Sequence, residues 1–308
     1  MNVLLSPDNG SPLILTEDGN CYVTANRQFS YPVSEGVVSF LDKVDDFYEG
    51  AYLNRIRYLP GSELFIPRLP LWLINGGYMW EVSKYLPKGS VVLELGCASG
   101  VDYFGARYNM IGLDLSMASL KELKNYKIAI QADACNLPLA DGSVDGIISS
   151  YFWEHIPHEK KEIMLTEFNR VLRPGGKLIF LYDVETRNGL IDKLKRKDQL
   201  LYNKLFLEGD GHLGYETPEQ NKINFEKYHF KILTHFGMER SWLQSNSVWA
   251  KFKSLDGLSG FLGKMAYSLT KPRIQGYFYS GLIRIFDETF GRFFPLSKSR
   301  IILTVAEK

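Results

Sequence analysis

The sequence predicts an α/β protein built on a mostly parallel sheet with helices on both faces. Three observations predict it. Buried-strand runs alternate with helical segments between about residues 90 and 236, the first run ends at an acidic residue and a glycine-bearing turn, and carboxylates close the second and third runs. Composition permits such a core. The 308 residues fit one large domain or one domain with appendages, and 45% hydrophobic with 23% charged residues exclude disorder and low complexity. Lys plus Arg number 36 against 35 Asp plus Glu, a balance with no broad attraction for a phosphate backbone, so nucleic acid is not the expected partner. The first residues lack a basic segment and no run of about 18 apolar residues occurs, so neither a signal peptide nor a transmembrane segment is expected. Cys21, Cys97 and Cys135 are an odd, widely spaced set, which suits a reducing compartment and points to the cytoplasm.

In chain order, residues 1–44 form a small β-rich segment: short runs from Pro12 to Thr16, Cys21 to Thr24 and Val37 to Leu41 stand between Asn-Gly, Asp-Gly and Tyr-Pro turns. Residues 45–88 mix Phe47, Tyr48, Tyr52, Trp72 and Trp80 with Pro60, Pro67 and Pro70, the pattern of a helical lead-in or lid broken by prolines. The regular core covers 89–244 and 299–308. Its strands are expected at Ser90 to Leu95, Met110 to Leu113, Ile128 to Ala132, Val144 to Ser149, Lys177 to Tyr182, Phe230 to Phe236 and Arg300 to Val305. A helix is expected from Glu159 to Leu172, where Met164, Phe168, Val171 and Leu172 share a face. Another follows Thr217, with Thr as N-cap and Pro218 at its first position. Residues 245–298 exceed a hairpin and carry Leu282, Phe286 and Phe290 at helical spacing, so they are expected to be an inserted helical cap.

The stretch that carries chemistry is VVLELGCASG (91–100), since ligands of open parallel sheets bind at strand carboxyl ends. Gly96 and Gly100 leave bare backbone for a close approach. Asp114, in GLDLS, can accept both hydroxyls of a ribose, and Asp133 can accept an adenine amino group while the Ala134 N–H faces a ring nitrogen. A dinucleotide site would need G-x-G-x-x-G, but the three positions hold Gly96, Ala98 and Val101.

With these segments in view, the chain resembles the class I S-adenosylmethionine-dependent methyltransferases, particularly the ubiquinone and menaquinone biosynthesis branch. The resemblance covers about 89–243 and rests on ELGCASG (94–100), GLDLS (112–116), DACNLPLADGSVDGIIS (133–149), EHI (154–156) and FNRVLRPGGKLIF (168–180). Ala98 stands where the family usually has the middle glycine of its first turn. The resemblance implies a Rossmann-like seven-stranded sheet with the last strand antiparallel. It also implies S-adenosyl-L-methionine as cofactor, with S-adenosyl-L-homocysteine as product. Glu94, Gly96, Cys97, Ala98 and Gly100 would hold its methionine end, and Asp114, Leu115 and Ser116 would meet the ribose and adenine. Asp133 and Ala134 would read the adenine edge, and Ser149, Ser150 and Tyr151 would face the sulfonium.

Methyl transfer from a sulfonium releases a neutral leaving group, so alignment does most of the work, and a base is needed only where the acceptor must lose a proton. His155 is the first candidate, set against a reading in which Glu154 and His155 pin the loop. His212, accompanied by Tyr215, is the second, set against an exposed His on a mobile loop. Cys97 reads as a small packing residue. The segment 1–44 resembles a zinc ribbon whose ligands have gone: Ser6-Pro7-Asp8-Asn9 replaces one cysteine pair and Cys21 alone survives of the other. No metal is therefore expected, and packing alone should hold it.

The expected function is methyl transfer to an O, N or C nucleophile of a small-molecule acceptor, apolar or lipid-linked if the aromatic-rich cap forms its roof. A homo-oligomer is compatible with that cap. The alternative is a non-catalytic S-adenosylmethionine- or S-adenosylhomocysteine-binding regulatory or partner subunit.

Overall fold

The computed structural model describes residues 3–41, 77–270 and 273–308, so Tyr48, Tyr52 and most of the expected lid at 45–88 lie outside the described residues. Eleven strands follow in chain order: β1 (Leu13–Leu15), β2 (Cys21–Thr24), β3 (Ser30–Ser34), β4 (Val37–Ser39), β5 (Val91–Leu95), β6 (Asn109–Asp114), β7 (Ile128–Gln131), β8 (Val144–Ser150), β9 (Leu172–Asp183), β10 (Lys231–Met238) and β11 (Ile301–Glu307). They form one sheet in the order β1-β2-β3-β4-β7-β6-β5-β8-β9-β11-β10.

Strands β4 to β9 run parallel, and β11 lies antiparallel between β9 and β10. The sheet thus has eleven strands where seven were expected. The additional four come from the N-terminal segment, and the reason is the open edge of β7, whose unpaired N–H and C=O groups are a template for another strand. Val37, Val38 and Ser39 pair with Ala129, Ile130 and Gln131, and the Ser39 hydroxyl donates to Gln131 Oε1 at 2.7 Å. Packing alone does not hold this segment. Besides the ladder, Ser6 shares a 2.6 Å hydrogen bond with the Tyr31 hydroxyl, which also bonds Asp8.

Side chains alternate across the sheet, so successive residues feed two cores. Leu93 and Leu95 join Ile111, Trp153, Phe168 and Phe180 on one face. Val92 joins Tyr78, Phe104, Met110 and Ile148 on the other. The helix His158–Val171 buries Met164, Leu165, Phe168 and Val171, and stops where Leu172 enters β9. Thr217 caps the helix Pro218–Lys227 as its sequence demands, its hydroxyl accepting the Gln220 N–H at 3.1 Å.

Two helical insertions stand on this core, where the sequence reading separated only one. The first, after β9, comprises Gly189–Lys197, Gln199–Tyr202 and a π-helical turn Asn203–Glu208. The second, between β10 and β11, comprises Asn246–Phe252, Gly257–Thr270 and Arg273–Thr289. Ile191, Leu194, Tyr202 and Phe206 of the first share a cluster with Val248 and Phe252 of the second. Leu282 and Phe290, two of the residues at helical spacing in the expected cap, are exposed, while Ile283, Arg284 and Asp287 face inward. Among the described residues no helix is long and apolar enough to cross a membrane.

Candidate active site

A cavity of about 530 Å³ opens at the carboxyl ends of β5, β6 and β7, the place where parallel sheets bind ligands. Its walls include Gly96, Asp114, Leu115, Asp133 and Ala134 from these strand ends, and Phe152, His155, Glu208, Asp210 and His212 from the loops opposite.

The turn after β5 is unusual backbone. Gly96, Ala98 and Gly100 all have positive φ, of 61°, 47° and 73°. A Cβ on Gly96 would stand 2.7 Å from the Phe152 ring, and one on Gly100 would stand 2.3 Å from Leu123, so both positions need glycine twice over. Cys97 is buried behind the turn, its N–H donating to the Leu113 carbonyl at 3.2 Å. Burial, then the nearby Asp114 and Glu94, push its thiol well above the ordinary range, which keeps it protonated and inert.

Asp114 holds this turn. Its Oδ2 accepts the Ala98 N–H at 2.9 Å and its Oδ1 accepts the Ser116 N–H at 2.9 Å. The same carboxylate stands at the cavity wall. Ser116 is itself buried and caps the helix Met117–Lys121, its hydroxyl accepting from the Ser119 N–H. Asp133 accepts the Cys135 N–H at 2.9 Å and pairs with the Lys160 ammonium at 3.1 Å. Burial alone would raise its pKa, but these donors hold it below the ordinary value.

Several expected residues stand elsewhere. Glu94 is buried and accepts from the Tyr126 hydroxyl, which also accepts the Val101 N–H at 3.0 Å. Ser149 donates to the Leu95 carbonyl at 3.0 Å, stitching β8 to β5. Ser149, Ser150 and Tyr151 are not among the cavity walls, whereas Phe152 is. Phe152 and Lys160 were missed by the sequence reading. No pattern in the sequence singles them out, because each reaches the site through tertiary packing.

Opposite the glycine turn, the two histidines come together with ring centroids 5.3 Å apart, and His212 stacks on Tyr215 at 4.8 Å. His155 lies on the turn Trp153–His155, and its Nδ1–H donates to the Gly211 carbonyl at 2.9 Å. Burial lowers its pKa, which the Gly211 carbonyl partly offsets. His212 is not the exposed loop residue of the competing reading. Its side chain is 4% exposed, and burial pulls its pKa down to about 3. Among the described residues its Nδ1 has no hydrogen-bond partner. Tyr215, deeply buried and near Asp183, is pushed well above the phenol range.

A scaffold of buried charge fixes this wall. Arg300 donates to both oxygens of Glu239, at 2.6 and 3.0 Å, and to Asp183 at 2.9 Å. Glu154 accepts the Asp183 N–H, and burial followed by the Asp183 charge raises its pKa well above normal. Lys161 donates to the Gly214 carbonyl at 2.6 Å and to Glu216 at 2.7 Å, tying the loop that carries His212 to the helix His158–Val171. Glu154 and His155 therefore do pin the loop, through the Gly214 N–H bond to the Glu154 carbonyl and the bond to Gly211. Among the described residues, Glu154, His155 and His212 place possible metal-ligand atoms within 4.8 Å of one another.

Comparison with known proteins places chemistry on this geometry. Residues 93–180, which run from within β5 into β9 and include the cavity's strand-end walls, match the family described as methyltransferase domain. The chain is 32% identical over 135 residues to the tRNA (carboxymethyluridine(34)-5-O)-methyltransferase ALKBH8 of Mus musculus, covering 42% of this chain and 19% of that protein. It is 30% identical over 164 residues to the demethylmenaquinone methyltransferase of Staphylococcus carnosus, covering 46% of this chain and 64% of the relative. A solved SAM-dependent methyltransferase from Archaeoglobus fulgidus superposes with a TM-score of 0.46 at 16% identity, covering 75% of this chain and 91% of the other. The chain spans about a fifth of the mouse protein and under two thirds of the staphylococcal one. Because one relative is a tRNA methyltransferase, the even charge balance does not set a nucleic-acid acceptor aside.

Proposed function

We propose, from the methyltransferase domain at residues 93–180, that this chain transfers a methyl group from S-adenosylmethionine to an O, N or C nucleophile on a small molecule, in a reducing compartment such as the cytoplasm. The observation that carries the proposal is the cavity of about 530 Å³ bounded by the Gly96 turn, Asp114, Asp133 and Ala134 on one side and by His155 and His212 on the other. Its size suits a nucleoside-sized ligand with a small acceptor beside it.

The donor set fits the cofactor. Asp114 stands at the cavity wall with a carboxylate of the kind that meets ribose hydroxyls, Asp133 is held ionised as an acceptor for an amino group, and the bare backbone at Gly96 admits the methionine end. Bound there, the cofactor supplies an electrophilic methyl on a sulfonium whose thioether leaves neutral. Burial disfavours the charged forms of His155 and His212 and so weakens both as bases, His212 above all with its pKa pulled down to about 3. The role they suit is to position an acceptor hydroxyl, phenol or amine by hydrogen bonding from a neutral ring. Leu207 and Leu213 add apolar wall, which supports an acceptor with an apolar part.

The test is transfer of label from methyl-tritiated S-adenosylmethionine to a panel of phenols, amines, quinone precursors and bulk tRNA, with His155→Ala and His212→Ala in parallel. Label in a small molecule, cut at least about tenfold by one of the two substitutions, is the expected result. Label in tRNA alone would overturn the small-molecule reading. Tight cofactor binding with no turnover on any acceptor would favour a non-catalytic binding subunit.

A further inference from the structure

In the wall opposite the glycine turn, Glu154, His155 and His212 bring one carboxylate oxygen and two imidazole nitrogens within 4.8 Å of one another. Glu154 is 1% exposed and the His212 side chain 4%. Each carries an atom without a hydrogen-bond partner among the described residues, Glu154 Oε2 and His212 Nδ1. Buried polar atoms are nearly always paired, so two orphans in one cluster mark a place where a cation or a donor belongs. The cations nearby are committed elsewhere. Lys161 gives its ammonium to the Gly214 carbonyl and Glu216, Lys251 pairs with Asp210, and Arg300 holds Asp183, Glu239 and the Ser245 hydroxyl. Glu154 Oε1 is met by the Asp183 N–H at 3.2 Å, a neutral donor.

The outer partners are those of a ligand set. A metal-bound imidazole commonly sets its second nitrogen against a carboxylate or a carbonyl, which fixes the ring. Asp183 Oδ2 stands 3.9 Å from His212 Nε2, the nitrogen other than the orphan, and the Gly211 carbonyl takes the His155 Nδ1–H at 2.9 Å. Asp183 is anchored in turn by Arg300. One carboxylate with two imidazoles and no thiolate suits zinc, manganese or iron(II), whereas calcium and magnesium prefer cages of oxygen. A water needs only two of these groups; the meeting of three, two of them with such outer partners, favours an ion. We propose that Glu154, His155 and His212 bind one divalent transition-metal ion at the acceptor end of the candidate cavity. Both histidines line that cavity, so the ion adjoins the space opposite the Gly96 turn. Its charge would draw in an acceptor through a hydroxyl, phenol or carboxylate oxygen, a preference that rests on the methyl-transfer reading, whereas ion binding does not.

The experiment is isothermal titration of the full chain, first dialysed against a chelator, with zinc chloride and with manganese chloride, and a parallel titration with cobalt(II) followed by visible absorption. The expected result is one ion per chain, bound at least about tenfold more weakly by Glu154→Gln and by His212→Ala, and cobalt bands altered in His155→Ala. His229→Gln, at an exposed histidine outside the cluster, should bind as the wild type does. Melting temperature shows that each variant is folded, and Glu154→Gln, which keeps the size of the side chain, guards against collapse of the site. No ion bound by the folded wild type overturns the proposal, as does binding that Glu154→Gln and His212→Ala both leave intact. S-adenosylhomocysteine is titrated into the same samples. Its binding without any metal strikes the ion alone, while metal bound without S-adenosylhomocysteine strikes the methyl-transfer reading and leaves the ion in place.

Discussion

The Ala98 N–H donates to Asp114 Oδ2 at 2.9 Å, so the turn after β5 and the acidic end of β6 are one hydrogen-bonded unit. The same carboxylate takes the Ser116 N–H with its other oxygen. Asp114→Ala should therefore loosen the turn and cost about 2–4 kcal/mol of stability, from two charge-assisted bonds lost at a buried site. Asp114→Asn keeps one acceptor oxygen and should cost about half as much. Urea unfolding of the two variants checks the ratio, and equal losses would contradict it.

Ala98 sits at φ 47°, a conformation costly to any residue with a Cβ. Ala98→Gly should therefore stabilise the folded chain by about 0.5–1 kcal/mol, net of the greater freedom glycine gains on unfolding. Gly96→Ala should do the opposite and cost about 1–3 kcal/mol, because its methyl meets the Phe152 ring in addition to the backbone strain. Differential scanning calorimetry of the pair should show shifts of opposite sign.

Acid should destabilise the protein through His212. Its folded pKa is depressed to about 3, while an unfolded imidazole titrates near 6.5, so between those values the unfolded chain binds the extra proton and stability rises with pH. Lowering pH from about 7 to about 5 should cost about 2 kcal/mol through this residue alone. Glu154 and Asp183, raised by burial, oppose the trend, so the wild type must be compared with His212→Gln over the same interval. A wild-type drop larger than that of the variant by about 2 kcal/mol is expected, and equal drops would show that His212 is exposed in solution.

Arg300 holds Asp183 and Glu239 together in the interior. Arg300→Met leaves two buried carboxylates without their cation and should cost about 3–5 kcal/mol. Thermal unfolding measures this, and a loss under about 1 kcal/mol would mean that water reaches the network.

The central strands and the glycine turn were legible because each is local. A run such as Val91–Leu95 must be buried on both faces, and Gly96 and Gly100 announce a backbone that other residues resist. Thr217 and Pro218 likewise declare a helix start by short-range hydrogen bonding. What escaped was long-range. The joining of β4 to β7 depends on an edge left open 90 residues away, and the pairing of Tyr126 with Glu94 joins separate elements. The helices at 189–208 were passed over because their apolar residues complete their cluster with residues of the second insertion, some fifty positions on. Leu282 and Phe290 show the limit of periodicity: spacing reveals that residues share a face, but not which way that face turns.

Isothermal titration with S-adenosylmethionine and S-adenosylhomocysteine, for the wild type and for Asp114→Ala, tests the central claim most directly. The cavity at β5 to β7 predicts one site per chain for both ligands, and at least about a hundredfold weaker binding in the variant, since the lost carboxylate both meets the ribose and holds the turn. Absence of heat with either ligand, in wild-type protein shown to be folded, would contradict it.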